Sequence, residues 1–111
     1  MPSYKRIINK LIHKNITIST AESCTGGLLA STITKIKDSS KIFIGGYVTY
    51  SNELKIRDLN VGKTTIEKYG AVSKETGMEM ANGLYLKNKT NICISTTGVA
   101  GPGGGTKSKP V

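Results

Sequence analysis

Three short runs rich in β-branched residues recur along the chain, separated by stretches with helical spacing of apolar residues. The runs are residues 16–20, 42–50 and 91–99. Strands that alternate with helices predict an α/β layered fold with a mostly parallel sheet, because parallel neighbours need a crossover between them. The middle run contains a Gly45-Gly46 pair, which favours a buried strand with a bulge or a close backbone approach.

Helical patterns fill the intervals between these runs. Residues 4–14 form an amphipathic pattern after Ser3, and a second apolar stripe runs from Leu28 to Ile36. Two short helices are predicted within residues 51–59 and 63–69, and Ser73 can cap a longer one. Residues 71–72 are expected to form a brief strand before that cap.

The length of 111 residues predicts a single domain, residues 1–111, with one site. Hydrophobic residues make up 37% and the mean hydropathy is -0.19, which is typical of a globular protein rather than a disordered one. No apolar run approaches the roughly 18 residues of a membrane span, and charges interrupt the N-terminal segment where a signal peptide would be apolar. We therefore expect a cytoplasmic protein with no membrane partner.

The formal net charge is +9, which favours anionic partners such as nucleotides. The basic residues are spread thinly from Lys5 to Lys109, however, and the chain has one Phe and no Trp. A base-stacking platform has little to build on, so the composition does not favour a nucleic-acid-binding protein.

Residues 21–31 read AESCTGGLLAS and join a predicted strand to a predicted helix. Ser23 at this junction could be a nucleophile whose oxyanion is stabilised by the free N–H groups of the helix. Position alone favours the other interpretation, in which Ser23 is an ordinary helix cap. Cys24 is a rival nucleophile, because a thiolate is favoured at a helix N-terminus.

A nucleophilic Ser23 would need a base, and His13 is the only histidine and lies on an amphipathic, surface-facing helix. A neutral lysine is the remaining common choice. Lys55 falls in the first turn of a helix that Asn52 could cap, where the helix dipole would lower its pKa. Tyr50 could relay a proton, although a surface lysine and a packed tyrosine explain the same residues. The acidic residues closest to these motifs, Glu22 and Glu53, are expected to orient Lys55 or the loops.

The segment GVAGPGGG, residues 98–105, is too rich in glycine for a packed element. Its N–H groups could approach a phosphate closely, but it matches neither the dinucleotide-binding nor the P-loop pattern. A flexible tail explains it equally well. The sequence shows no cluster of His, Cys and Asp, so we predict no metal site.

Four motifs together resemble the family of C-terminal CinA domains, the nicotinamide-nucleotide amidohydrolases. In order along the chain they are TAESCTGGLLAS (20–31), GGYVTYSNELKIRDLNV (45–61), YGAVSKET (69–76) and TGVAGPGGG (97–105). The resemblance implies a three-layer α/β/α fold and metal-independent, cofactor-free hydrolysis of nicotinamide mononucleotide to nicotinate mononucleotide and ammonia. The family's Ser, Tyr and Lys fall on Ser23, Tyr50 and Lys55.

The same resemblance implies where the substrate would bind. The expected substrate-binding residues are Thr25, Gly26, Gly27, Gly101, Gly103, Gly104 and Gly105. Family members continue past the KPV that ends this sequence, so we expect a fold that is incomplete at its C-terminus. A complementary C-terminal fragment or a second copy of the chain is the expected protein partner. The alternative is a catalytically inactive nucleotide-binding or interaction module.

Overall fold

The computed structural model describes residues 3–99, 101, 103–107 and 109–110. These residues form five α-helices, three strands and one 3₁₀ turn, and no helix among them is both long and apolar enough to cross a membrane. In chain order the elements are α1 (Ser3–Lys14), β1 (Ile18–Glu22), α2 (Leu28–Thr34), the 3₁₀ turn (Ser39–Lys41), β2 (Phe43–Val48), α3 (Asn52–Leu59), α4 (Lys63–Tyr69), α5 (Lys74–Asn88) and β3 (Ile92–Thr96).

The three strands form one parallel sheet in the order β2-β1-β3. Glu22, the last residue of β1, lies opposite Val48 on one side and Thr96 on the other. The predicted α/β fold with a parallel sheet is therefore confirmed. The carboxyl ends of all three strands meet at one edge of the sheet, which is where ligand sites form in such folds.

Helices cover both faces of the sheet and create two apolar clusters. Successive residues of a strand point to opposite faces, so Ile18 and Ala21 of β1 belong to different clusters. The cluster beneath α1 and α2 contains Ile8, Ile18, Ile33, Ile36 and Ile42. The cluster beneath α3 and α5 contains Ala21, Leu59, Val61, Met80 and Leu84. This arrangement is the predicted three-layer α/β/α fold.

The prediction that β2 is a buried strand is wrong, but the bulge and the close approach predicted for it are confirmed. The register with β1 shifts between Phe43 and Gly45, and a Cβ atom at Gly46 would collide with Thr20 Oγ1. Among the described residues β2 pairs only with β1, so it is an edge strand, and its residues alternate between half-buried and exposed. Ile44 and Val48 are both exposed. Two smaller predictions also differ: β1 lies two residues later than residues 16–20, and residues 71–72 form a bend rather than a strand.

Helices α3 and α5 approach each other very closely at a glycine. Gly83 is buried on α5, and a Cβ atom built there would collide with the backbone carbonyl of Leu59 at the end of α3. Only glycine allows this approach, because any side chain would push the two helices apart. The contact fixes the position of α3, the helix that carries Lys55.

Candidate active site

Ser23 lies directly beyond the central strand, and both neighbouring chain segments hold its backbone. Its N–H donates to the Thr96 carbonyl at 3.1 Å, and the carbonyl of the preceding Glu22 accepts from the Thr49 N–H at 2.8 Å. The Ser23 side chain is only 7% exposed. The serine hydroxyl is therefore held at the sheet edge predicted for a ligand site.

The amine of Lys55 meets the Ser23 hydroxyl in this buried region. The lysine side chain is 1% exposed, and its Nζ lies 2.9 Å from Ser23 Oγ. The same Nζ donates to the backbone carbonyls of Thr49 at 2.8 Å and Tyr50 at 3.1 Å. In the neutral amine these two carbonyls take both N–H groups, which leaves the lone pair directed at the hydroxyl. This is the geometry that a general base requires.

Burial lowers the pKa of Lys55 below its usual value, because an apolar environment disfavours the charged ammonium. The charge interaction with Cys24 acts in the opposite direction and does not cancel this effect. The sequence predicted the direction of this pKa shift correctly, but it attributed the shift to the helix dipole rather than to burial and assigned the wrong cap to α3. Ser51 caps the helix by accepting from the Leu54 N–H at 3.1 Å, and Asn52 is the first helical residue.

A cleft of about 200 Å³ opens onto the serine and the lysine. It is lined by residues from four separate segments: Ser23, Cys24, Tyr50, Lys55, Ala71, Val72, Thr97 and Gly98. Ser23, Tyr50 and Gly98 each follow the end of a strand, and the structure brings these three residues together at the cleft. The Tyr50 side chain is 67% exposed and borders the cleft.

A second, wider groove of about 450 Å³ continues from this cleft. The two share Val72, Thr97 and Gly98, and the groove adds two cationic side chains, Lys74 and Lys109. The site thus joins a narrow cleft at the serine to a wider groove with positive charge.

The sequence profile of the CinA C-terminal domain matches residues 2–111. The chain belongs to the CinA C-terminal domain family. Relatives named competence-damage inducible protein are 59% identical over 105 residues in Clostridium botulinum (strain Langeland) and 55% identical over 101 residues in Clostridioides difficile (strain 630). These matches cover 95% and 91% of this chain. The chain spans about a quarter of the length of these curated relatives, 26% and 24%.

Solved CinA structures share the fold closely. The competence/damage inducible protein CihA from Agrobacterium tumefaciens is 45% identical with a TM-score of 0.92, and the match covers 96% of this chain and 65% of that one. A CinA superfamily protein from Escherichia coli is 32% identical with a TM-score of 0.89, covering 99% and 68%.

The Glu22 carboxylate binds the N–H groups of α2 that were expected to stabilise an oxyanion in this CinA domain. Its carboxylate accepts from the Leu29 N–H at 2.7 Å and the Ala30 N–H at 2.9 Å, so these donors of α2 are not free. Ser23 is also not the helix cap, since the turn formed by residues 24–27 separates it from α2 and Gly27 is the cap residue. The predicted oxyanion site at the α2 N-terminus is therefore wrong.

None of the expected substrate-binding residues in the described part of the chain lines the cleft. The Thr25 hydroxyl donates to Glu22, and Gly26 and Gly27 have positive φ angles of 62° and 105°, which only glycine adopts easily. The loop glycines Gly101, Gly103, Gly104 and Gly105 are exposed. Ala100 and Pro102 of the same loop lie outside the described residues. A substrate contact at these positions stays a prediction.

Sequence reasoning missed several residues of the site. Thr49 contributes a carbonyl to Lys55, and Ala71, Val72 and Thr97 line the cleft. All four residues fall inside or beside the family motifs, and these motifs were the only sequence feature that pointed to them. The exposed His13 lies at the end of α1, as predicted for a surface residue. No group of three or more His, Cys, Asp or Glu side chains among the described residues could hold a metal ion.

Proposed function

We propose that this CinA domain hydrolyses the carboxamide of nicotinamide mononucleotide to nicotinate mononucleotide and ammonia. The observation that carries the proposal is the 2.9 Å contact between Ser23 Oγ and the buried Nζ of Lys55 at the cleft. A serine paired with a lysine of lowered pKa is an activated nucleophile that needs neither histidine nor metal.

In the first half of the reaction, neutral Lys55 removes the Ser23 hydroxyl proton as Oγ attacks the carboxamide carbon. The C–O bond forms, and the carbonyl electrons move onto the oxygen of a tetrahedral intermediate. Collapse of this intermediate breaks the C–N bond, and the proton held by Lys55 passes to the departing nitrogen. Ammonia leaves, and the nicotinoyl group remains as an ester on Ser23.

In the second half a water molecule attacks the ester. Lys55, neutral again, accepts a proton from the water and returns one to Ser23 Oγ as the ester bond breaks. The products are the free enzyme and the carboxylic acid, which releases its proton to solvent and leaves as the carboxylate. Tyr50 borders the cleft and would direct its hydroxyl toward the amide nitrogen or the incoming water.

The two connected cavities suit the two ends of such a nucleotide. The cleft at Ser23 would take the pyridine carboxamide, and the adjoining groove would take the ribose phosphate near Lys74 and Lys109. An anionic phosphate there would be attracted by both lysines and by the net charge of the chain. Gly101 and Gly103 to Gly105 of the glycine-rich loop would face this phosphate.

The direct test is an ammonia assay on the purified chain with nicotinamide mononucleotide. We expect Ser23→Ala to lower turnover by about 10³-fold or more, because the nucleophile is removed. Cys24→Ala separates the two candidate nucleophiles and should retain turnover. A wild-type chain that releases no ammonia, or a Ser23→Ala variant as active as wild type, would contradict the proposal.

The second candidate is a nucleotide-binding module without turnover. It is favoured by the occupied N–H donors of α2, since Glu22 accepts from Leu29 and Ala30 and leaves neither free for an oxyanion. Isothermal titration with nicotinamide mononucleotide separates the two candidates. Binding by both wild type and Ser23→Ala, with no ammonia released by either, would support the module and exclude the hydrolase.

We further propose that the β3 edge is the association surface for a second copy of this chain, with a strand-bearing C-terminal fragment as the alternative outcome of the test. β3 has one strand partner among the described residues, and an apolar groove lies beside it. The groove residues include Tyr4, Ile7, Leu11, Leu29, Ile92 and Ile94. An unpaired edge next to apolar surface favours addition of a strand.

Sedimentation over a range of protein concentrations tests self-association through this surface. Ile7→Lys changes an exposed groove residue and should weaken association, whereas Leu86→Lys changes an exposed residue of α5 in the opposite layer and should not. If wild type stays monomeric throughout, the second copy is excluded. Co-expression with the C-terminal third of a solved relative then tests the fragment, and failure to co-purify would exclude it.

A further inference from the structure

Three hydroxyl and carboxylate groups beside Ser23 form a continuous chain of hydrogen bonds. The Thr25 hydroxyl donates to Glu22 Oε1 at 2.6 Å, and the Thr25 and Thr96 hydroxyl oxygens lie 2.8 Å apart. Thr96 Oγ1 in turn lies 3.4 Å from the Ser23 nitrogen, whose N–H is shared between this oxygen and the Thr96 carbonyl at 3.1 Å. The chain therefore begins at a buried carboxylate and ends at the backbone of the serine.

The direction of every bond in this chain is determined. A threonine hydroxyl has one proton, and Thr25 gives that proton to Glu22. Thr25 must therefore accept from Thr96, which leaves the Thr96 oxygen as the acceptor for the Ser23 N–H. These bond directions are consistent with an ionised Glu22, because both oxygens of a carboxylate act only as acceptors.

The ionised state of Glu22 is favoured by its surroundings. Burial acts to raise the pKa of this carboxyl, but the hydrogen bonds from Thr25 and from the N–H groups of Ala30, Leu29 and Gly27 outweigh it. The net effect is a lowered pKa. A carboxylate that accepts several short bonds in a buried site is a rigid anchor.

We propose that Glu22, Thr25 and Thr96 are positioning residues that hold Ser23 Oγ within reach of Lys55. This inference rests on the proposed function, in which Ser23 is the nucleophile. Glu22 does not touch the reacting atoms: its side chain projects toward α2, whereas Ser23, the next residue along the chain, faces Lys55 on α3. The network acts on the serine through its backbone and through the turn formed by residues 24–27.

The assignment gives Thr25 a role that differs from the expected substrate contact. Its hydroxyl is engaged on both sides, as donor to Glu22 and as acceptor from Thr96. A substrate atom would have to displace one of these bonds in order to use it. Thr25 thus acts through Ser23 rather than on the substrate.

The decisive variant is Thr25→Val, which removes the central hydroxyl and leaves the bonds of Glu22 to α2 in place. Thr25→Ser restores the hydroxyl, and Thr34→Val removes an exposed hydroxyl at the far end of α2 as a matched control. In the ammonia assay we expect Thr25→Val to lower kcat by about 10- to 100-fold with KM changed by less than about twofold, because the nucleophile is misplaced. Thr25→Ser should recover most of the rate.

Two measurements that need no turnover keep this test separate from the test of the hydrolase. Amide hydrogen exchange of Ser23 should accelerate in Thr25→Val but not in Thr25→Ser or Thr34→Val. In Thr25→Val the pKa of Lys55, measured by NMR titration, should rise toward that of an ordinary lysine, because the serine moves away and water enters the site. If a folded Thr25→Val keeps both the slow exchange and the titration of wild type, the positioning role is refuted. If both change while no variant releases ammonia, the network stands and only the hydrolase fails.

Discussion

The Lys55 amine lies 2.9 Å from the Ser23 hydroxyl, although the two residues are 32 positions apart in the chain. The parallel sheet explains the encounter: β1 ends just before Ser23, β2 ends just before Thr49, and α3 starts at the same edge of the sheet. The Lys55 side chain then reaches back across the ends of both strands. Its position depends on the start of α3 and on the packing of α3 against α5.

Replacing Lys55 by Met should remove the base while keeping the shape of the side chain. We expect turnover to fall by about 10²- to 10⁴-fold, the usual contribution of a general base. The free energy of unfolding should change by less than about 2 kcal/mol, because the lost hydrogen bonds to two carbonyls are offset by removal of a costly buried amine. The ammonia assay and urea unfolding give the two values. Lys63→Met, an exposed lysine of α4, is the control and should retain the wild-type rate.

The rate should rise with pH through the lowered pKa of Lys55 and level off below the ordinary lysine value of 10.5. The neutral amine is the active form, so protonation at lower pH removes the base. Stability should rise over the same interval, since the unfolded chain there holds a proton that the folded chain has released. The pH dependence of kcat/KM and of urea unfolding would show this. An activity that falls through this interval would argue against Lys55 as the base.

Glu22 should contribute stability that is lost in acid. Its pKa is lowered in the folded chain, so the contribution is complete above the ordinary carboxyl value of 4.5 and disappears as the pH falls through the lowered value. In Glu22→Gln the side-chain NH₂ group replaces an oxygen that accepts from a backbone N–H, so a donor faces a donor. The variant should therefore be less stable than wild type at neutral pH by about 1–3 kcal/mol. Unfolding curves at several pH values should also show a smaller loss of stability in acid for this variant. Equal acid sensitivity of the two proteins would contradict the assignment.

Gly83→Ala should destabilise the fold by about 3 kcal/mol or more, because overpacking this backbone contact forces α5 away from α3. The displacement would also carry Lys55 away from Ser23 and lower turnover of the remaining folded protein. Gly45→Ala is the matched control, since a Cβ there meets no atom within 4 Å. Thermal unfolding of the two variants should separate them clearly, and equal melting temperatures would contradict the packing argument.

The periodic parts of the fold were predictable from sequence. The amphipathic α1, the Ser73 cap of α5 and the parallel sheet follow from local spacing and cap chemistry, which act over a few residues. The burial of β2 was not predictable in this way. A run such as IFIGGYVTY has the same composition in a central strand and in an edge strand, and only strand order distinguishes them.

Part of the site was predictable, because the sequence pattern shows where each strand ends. Ser23, Tyr50 and Gly98 each follow a strand, so topology alone brings them to one edge. The role of Glu22 could not be foreseen from spacing, because its carboxylate turns back to cap α2 after an intervening turn. The burial of Lys55 likewise depends on tertiary packing, since its neighbours in sequence include exposed charged residues.

The edge of β3, which has no second strand partner in the described part of the chain, restricts how two copies of this domain could be arranged. A two-fold axis through that edge would make the adjoining β3 strands run in opposite directions, giving a continuous six-stranded sheet. Each Ser23 would then open toward an opposite end of the joined sheet. Such a dimer would keep its two clefts far apart, so neither copy would contribute a residue to the cleft of the other.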